Sequence, residues 1–355
     1  MKSPSMNSMQ RVLTTLGQKE PDRVPMFLLL TLHGAKELGL SIKSYFSKAE
    51  NVVEAQLRMQ KKYQNDCFYG FHYASLEVEA FGGESIFVED GPPNAGEPII
   101  KQPSDILSLQ IPDINQSPML QNVLETQRKL KAVAKDEIPI IGVVMSPFSL
   151  PVMQMGFEPY LDLLLFQPKL FQQLMKINEA FCVAWANAQL AAGATAICFF
   201  DPVSSNTIIT PEIYSLLSQP IAKRTLSQIQ GPTATHFASG RCHKIIDPIV
   251  DSGTAIVGIS IDENLSELKK ELASRLTILG NLNGIEMRRW TDQEAENAVK
   301  TAISQAGPGG GFILSDNHGE IPYQVSEDTL IAISNAVMEW GQYPLNWVES
   351  EPKAD

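Results

Sequence analysis

Short apolar runs of strand length recur along the whole chain. Most of them are apolar at nearly every position and not at alternate positions, which is typical of strands covered on both faces, as in a parallel sheet. The run at residues 65–69 has the weakest pattern of the eight. In chain order the predicted strands lie at residues 24–30, 65–69, 139–145, 194–200, 233–238, 255–261, 277–281 and 311–315.

Helical patterns separate these runs. The stretch from Pro159 to Ala192 carries apolar residues at helical spacing for long enough to hold two helices, broken near Gln167-Pro168. Thr210, Thr291 and Ser326 each stand where a capping side chain would begin a further helix. The chain therefore alternates strand and helix over most of its length.

This alternation predicts right-handed crossovers and a parallel sheet. Seven or eight strand–helix units favour a closed barrel over an open doubly wound sheet, and no G-x-G-x-x-G motif follows the first strand. We predict a single α/β domain over residues 1–355, a (β/α)₈ TIM barrel. Residues 84–118, rich in Pro and Gly, are predicted to form an irregular excursion or small hairpin, and residues 349–355 a frayed tail.

Composition and charge exclude several kinds of partner. The formal net charge is −12, which argues against nucleic acid or an anionic membrane surface as the main partner. The apolar stretch at residues 138–157 is interrupted by Pro139, Pro147 and Pro151, so a membrane-spanning helix is not expected there. Four cysteines without C-x-x-C spacing, and a start without an apolar signal segment, predict a cytoplasmic protein with reduced thiols.

Polar residues at the predicted strand ends are the main candidates for chemistry, because the active site of such a barrel lies on that face. Asp201, His236 and His318 each fall at such an end, and together they offer two imidazoles and a carboxylate. Such a set suits Zn²⁺ with an open coordination position. Taken singly, His236 could equally be a buried core histidine, and His318 part of a turn.

Other candidates have less support. Glu77 and Glu79 would share a face on a strand but not on a helix, and Glu79 could serve as a general acid or lie on a solvated edge. His33 follows an early apolar segment and Asn281 ends a predicted strand, so either could line a pocket.

Several segments resemble the uroporphyrinogen decarboxylase superfamily. They are Arg11 with Pro21-Asp22-Arg23-Val24-Pro25, then Glu77-Val78-Glu79-Ala80-Phe81-Gly82-Gly83, Gly280-Asn281-Leu282-Asn283 and Gly311-Phe312-Ile313-Leu314-Ser315. Their order and spacing agree with that superfamily from Arg11 to Pro344. The resemblance implies the same barrel fold and an active site at the strand ends.

The resemblance also separates two branches. Decarboxylases carry an R-Q-A-G-R segment after the first strand, whereas residues 30–37 here contain no arginine. Because guanidinium groups pair with substrate carboxylates, porphyrinogen decarboxylation is disfavoured. Corrinoid-dependent methyltransferases bind zinc through an H-x-C pair and a later cysteine. This chain keeps His236 but has Ala238 and His318 at the expected cysteine positions.

The leading hypothesis is a methyltransferase that moves a methyl group from a small methylated substrate to cobalt(I) of a partner corrinoid protein. The substrate class implied first is a methoxylated aromatic of the vanillate type. Zinc, or an acid such as Glu79 or Asp201, would neutralise the leaving oxygen. An aromatic slot is predicted from Met145, Phe148, Met153 and Phe200, which could also be ordinary core residues. The alternatives are methyl transfer from a methylcorrinoid to a thiol or pterin, and a barrel that binds a ligand without catalysis.

Overall fold

The computed structural model describes residues 5–350, and eight of its strands form one parallel sheet. Each of the eight predicted runs overlaps one of these strands, so the predicted barrel is confirmed. Around the sheet the strand order is β1-β10-β9-β8-β7-β6-β5-β2, and β3 pairs with β4 in a separate antiparallel hairpin. The strands are β1 Met26–Phe27, β2 Phe68–Tyr69, β3 Ser85–Ile86, β4 Asn94–Ala95, β5 Ile140–Met145, β6 Ala196–Phe200, β7 Thr233–His236, β8 Ile256–Gly258, β9 Thr277–Leu282 and β10 Phe312–Asp316.

Helices connect successive strands and cover the outer face of the sheet. They are α1 Ser8–Leu16, α2 His33–Leu38, α3 Ile42–Phe46, α4 Ala49–Tyr63, α5 Leu76–Ala80, α6 Pro118–Ala134, α7 Pro151–Met155, α8 Phe157–Phe166, α9 Pro168–Ala192, α10 Pro211–Ile213, α11 Gln219–Leu226, α12 Ile246–Asp251, α13 Leu265–Leu272, α14 Asp292–Ala306, α15 Glu327–Trp340 and α16 Asn346–Ser350. Within residues 5–350, no helix combines the length and the apolar character needed to cross a membrane.

Local sequence signals explain where several helices begin. Thr210, Thr291 and Ser326 accept hydrogen bonds from backbone N–H groups of the first helical turn, as their positions predict. The predicted break between α8 and α9 falls at Gln167, immediately before a proline at the first helical position. Residues 349–350 of the predicted tail belong to α16, and residues 351–355 lie outside the described part of the chain.

The barrel closes between its two shortest strands. The Asp66 N–H donates to the Met26 carbonyl over 2.9 Å. Beside it, the Asn65 side-chain amide accepts from the Leu28 N–H over 2.8 Å and donates to the Leu28 carbonyl over 3.0 Å. The amide thus supplies a donor and an acceptor in the way a peptide group would. One side chain substitutes here for part of a strand ladder.

A buried ion cluster lies at the same junction. Asp66 accepts from the guanidinium groups of Arg11 and Arg23, each over 2.6 Å, and Arg11 also pairs with Asp22 over 2.7 Å. Burial alone would raise the pKa of Asp22, but the hydrogen bonds from Arg11 and from two backbone N–H groups, together with the charge of Arg11, lower it. The segment that resembles the superfamily near the N-terminus therefore holds the barrel junction together.

Inward-facing residues fill the lower part of the barrel. Phe27, Cys67, Val143, Cys198 and Ile313 belong to one buried apolar cluster inside the sheet. The alternate residues of the same strands pack outward against the helices. The interior is thus closed at its base, and open space remains at the carboxyl ends of the strands.

Candidate active site

A cavity of about 440 Å³ opens at the carboxyl ends of the barrel strands. Its wall includes Tyr69 of β2, Val143 of β5 and Phe200 of β6, together with residues 90–95 of the hairpin and residues 318–324 after β10. This is the face on which barrel enzymes carry their active sites, and the volume lies in the range of roughly 300–1,000 Å³ found for small-molecule pockets.

The wall is mainly aromatic and apolar. Tyr69, Phe71, Phe200 and Tyr323 contribute rings, and Met153 adds a flexible thioether side chain. Asp90 and Glu320 are the acids among the lining residues, which include no arginine or lysine. The cavity is therefore suited to one aromatic ring and not to a molecule that carries several carboxylates.

The segment from Asp316 to Glu320, the mouth loop, crosses the opening of the barrel. The Asp316 carboxylate accepts from the backbone N–H groups of His318 and Gly319 over 2.8 and 2.9 Å, which fixes the turn. The φ of Gly319 is +85°, and a Cβ there would lie 2.7 Å from the Phe200 ring. Glycine is required at this position for both reasons.

Glu320, at the end of the mouth loop, presents a carboxyl group to the cavity. Its Oε1 accepts a hydrogen bond from the Thr31 hydroxyl. Burial raises the pKa of Glu320 to about 7, and the nearby charge of Asp316 acts in the same direction. At neutral pH a substantial fraction of Glu320 is therefore protonated and can donate a proton.

His236 ends β7 and His318 follows β10, so the two histidines predicted as ligands lie at the same end of the barrel. His236 is fully buried beneath Phe200, whose ring stacks on it with centroids 5.6 Å apart. Burial lowers the pKa of His236 to about 4, and His318 lies close enough to contribute to the shift. His318 itself lines the cavity and is only partly buried.

The hydrogen bond made by His236 does not fit a zinc ligand. Its Nδ1 accepts from the backbone N–H of Ala238 over 3.0 Å, so in the neutral ring the proton lies on Nε2. A histidine that binds a metal through Nε2 instead donates from Nδ1 to an acceptor. Nε2 is buried and has no partner among the described residues. His236 is arranged as a hydrogen-bond donor.

Asp201, the predicted third ligand, faces away from the cavity. Its carboxylate accepts from the hydroxyls of Ser146 and Ser149. Phe200 points into the barrel, so Asp201, the next residue, faces the helices. In the part of the chain that the structure describes, no three His, Cys, Asp or Glu side chains form a group that could hold a metal ion. The predicted set of His236, His318 and Asp201 is not assembled, and we derive no step through zinc.

Glu77 and Glu79 lie on the helix α5, so they do not share a face. Glu77 is buried, and its Oε1 accepts from the Met145 N–H over 2.9 Å. Burial raises the pKa of Glu77 to about 8. Glu79, the predicted acid, accepts from the Tyr73 hydroxyl over 3.2 Å and does not line the cavity.

The remaining predicted residues divide into two groups. Met153 and Phe200 line the cavity, whereas Met145 and Phe148 pack in the main core. His33 lines a separate small cavity beside Lys36. Asn281 is buried, and its amide donates to the Ser260 carbonyl.

Sequence reasoning missed Tyr69, Phe71, Glu320 and Tyr323. Tyr69 belongs to the predicted strand with the weakest pattern, and Phe71 to the loop after it. Glu320 and Tyr323 follow His318, which the sequence had already indicated as a strand-end residue. Tyr69 is the last residue of its predicted strand, and a search extended by 8 residues beyond each strand end would have included the other three.

A family model described as uroporphyrinogen decarboxylase (URO-D) matches residues 7–340. The chain belongs to this family. The superfamily resemblance inferred from the sequence is confirmed. The barrel is also similar to a solved methyltransferase from Methanosarcina mazei, with a TM-score of 0.82 and 18% identity over 94% of this chain and 99% of that one.

Relatives of this URO-D family member carry two kinds of name. A uroporphyrinogen decarboxylase from Xylella fastidiosa is 25% identical over 350 residues, covering 92% of this chain and 97% of the relative. The methylcobamide:CoM methyltransferase MtaA from Methanosarcina barkeri is 26% identical over 174 residues, covering 48% of this chain and 50% of the relative. Family membership alone therefore does not choose between the two activities.

Proposed function

We propose that this URO-D family member is a corrinoid-protein-dependent methyltransferase that demethylates a small methoxylated aromatic. The observation that carries the proposal is the mouth cavity, whose aromatic wall contains Glu320 as a proton-donating acid and no arginine or lysine. A cytoplasmic location fits this role. The similarity to a methylcobamide:CoM methyltransferase supports the methyl-transfer branch.

The aromatic wall would hold the substrate ring. Tyr69 and Phe200 lie on neighbouring sides of the barrel opening, and Phe71 and Tyr323 add further ring surface. Rings packed edge-to-face or offset gain attraction beyond the burial of apolar area. A bound ring would place its methoxy group within the reach of the mouth loop.

Glu320 would supply the proton that the leaving oxygen needs. The carbon–oxygen bond of the methoxy group breaks, the methyl carbon passes to cobalt, and the oxygen keeps the bonding electron pair. Cobalt(I) on the partner protein supplies the nucleophile. Oε1 of Glu320 is occupied by Thr31, so the proton would lie on Oε2. The released phenol leaves Glu320 as a carboxylate, which regains its proton from solvent.

Two alternatives are less well supported. A polycarboxylate substrate would find no cation among the lining residues, which disfavours porphyrinogen decarboxylation despite the decarboxylase relatives. Transfer from a methylcorrinoid to a thiol is favoured by the MtaA similarity. It is disfavoured by the donor arrangement around His236, because residues 5–350 assemble no sulfur-rich metal site of the kind that activates thiols.

The test is a methyl-transfer assay with a separate corrinoid protein. The protein is mixed with the cobalt(I) form and a series of methoxyarenes, and the visible spectrum reports methylation of cobalt. We expect methylation in wild type and in the surface variant Glu54→Gln, and a rate at least about a hundredfold lower in Glu320→Gln. No methylation with any methoxyarene, together with demethylation of methylcobalt by a thiol, would establish the reverse activity. Failure of both reactions would support a barrel that binds without catalysis.

A further inference from the structure

We infer that the cavity selects an uncharged methoxyarene and rejects one whose ring carries a carboxylate. This inference rests on the proposed function and narrows its substrate class, since the sequence alone named vanillate-type ethers. It follows from the charges that surround the cavity and from the apolar character of most of its wall.

The charges on the wall are negative or absent. Asp90 and Glu320 are carboxyl groups, and no lining residue is arginine or lysine. His318 also lines the cavity, and burial lowers the pKa of its ring, which disfavours the charged form. A carboxylate inside the cavity would have no cation to pair with.

Lys36 is near this wall but does not offer its charge to the cavity. Its ammonium group lies 4.2 Å from the centroid of the Tyr323 ring and donates to the Tyr323 and Val325 carbonyls. It lines a different cavity, together with His33 and Glu37. The carbonyl oxygens and the face of the ring thus hold the lysine on the far side of Tyr323.

Some of the polar groups beside the cavity are already engaged. The Tyr69 hydroxyl donates to the Gly319 carbonyl over 2.8 Å, and the Thr31 hydroxyl donates to Glu320. The Gln324 side chain donates to the Asp90 carbonyl over 2.6 Å. A substrate carboxylate would lose hydration without gaining a cation to pair with, and it would lie near the ionised form of Glu320. An uncharged ring has neither cost.

A methylated cation is the main competing ligand, because aromatic rings and carboxylates attract ammonium groups. The apolar part of the wall argues against it. Val143, Met153, Ile321 and Pro322 line the same space, and burial against them disfavours either sign of charge. The cavity therefore favours an uncharged ligand over both ions.

Calorimetric titration of the full-length protein tests the inference without any methyl transfer. The probes are guaiacol, vanillyl alcohol, vanillate and phenyltrimethylammonium, at about pH 8, where Glu320 is ionised. We expect vanillyl alcohol to bind about tenfold or more tightly than vanillate, since the two differ chiefly in the charged group. The difference in affinity between vanillyl alcohol and vanillate should become smaller in Glu320→Gln and stay unchanged in the surface variant Glu54→Gln.

Each contrary result has its own meaning. Vanillate that binds as tightly as vanillyl alcohol overturns the selectivity and leaves the demethylase proposal in place. Tighter binding of phenyltrimethylammonium than of guaiacol overturns it in favour of a methylated amine. If no methoxyarene binds, the proposed function fails as well. The comparison of ligands on wild-type protein decides between these outcomes even if the Glu320→Gln variant does not fold.

Discussion

The phenol of Tyr69 donates a hydrogen bond to the carbonyl of Gly319, so the second strand of the barrel is tied to the loop after its last strand. The bond spans 250 residues of sequence and crosses the opening of the cavity. It holds Glu320, the next residue, against Thr31. The position of the proposed acid therefore depends on the shape of the mouth loop.

Replacing the glycine of this loop should distort the cavity. A Cβ in Gly319→Ala would meet the Phe200 ring at 2.7 Å, and the positive φ adds strain of about 1–2 kcal/mol. We expect guaiacol affinity to fall about tenfold, measured by calorimetry. Gly39→Ala is the control, because Gly39 also has a positive φ but a Cβ there meets nothing within 4 Å. Equal affinities in the two variants would show that the loop does not shape the site.

The pH dependence of methyl transfer should report Glu320. Because burial raises its pKa to about 7, the acid form is lost as pH rises through that value, and the rate should fall with it. Stopped-flow spectra of the corrinoid partner measure the rate at each pH. In Glu320→Gln the rate should be about 10²–10⁴-fold lower and should lose this dependence. If Glu320→Gln kept the wild-type pH–rate profile, the proton donor would have to be another group.

Metal analysis should find no ion that depends on His236. The Nδ1 of this ring accepts from Ala238, and no third ligand lies beside the two histidines among the described residues. We expect equal zinc content in wild type and His236→Ala after purification without added metal, measured by mass spectrometry. One zinc per chain in wild type that disappears in His236→Ala would contradict this reading of the donor geometry.

The ion cluster at the barrel junction should contribute strongly to stability. Arg23→Met leaves Asp66 with one of its two guanidinium partners. The buried carboxylate is then only partly compensated, so the free energy of unfolding should fall by about 3–5 kcal/mol. Urea denaturation followed by circular dichroism measures the change. The exposed pair Arg58–Glu54 provides the control, and Arg58→Met should cost less than about 1 kcal/mol. Similar losses in both variants would contradict a structural role for the cluster.

Glu77 should make the free energy of unfolding fall as pH rises from 4.5 to about 8. Its pKa is raised from 4.5 to about 8 by burial, so its contribution is fully present below pH 4.5 and is lost as pH rises to about 8. Glu77→Gln can still accept from the Met145 N–H and should therefore be less sensitive to pH over this range. Thermal unfolding at several pH values measures this pH dependence of stability, with Glu79→Gln as control. Parallel curves for wild type and Glu77→Gln would exclude this assignment.

The sequence predicted the barrel because its strands are short apolar runs at regular spacing. It also predicted that His236 and His318 lie at the carboxyl ends of strands in one parallel sheet, as they do. It could not place Asp201, since a strand-end position does not say which face the side chain takes. That face is set by its neighbour Phe200, which points inward.

The acid of the cavity was beyond sequence reasoning for a different reason. Glu320 reaches the wall only through the turn that Asp316 and Gly319 form, and such a turn is set by contacts with Tyr69 and Phe200. Glu79 was an equally plausible carboxylate until α5 showed it outside the cavity. Loop conformation, and not residue type, separates the two.

The amide of Asn65 has a consequence for how the barrel is aligned. A ladder of backbone bonds can pair in several registers, because every peptide unit offers the same donor and acceptor. The Asn65 side-chain amide is available at one position along the strand only, opposite Leu28. The first and second strands, with two residues each, therefore meet in a single alignment, which the Asn65 amide and the Asp66–Met26 backbone bond fix together at the point where the ring is completed.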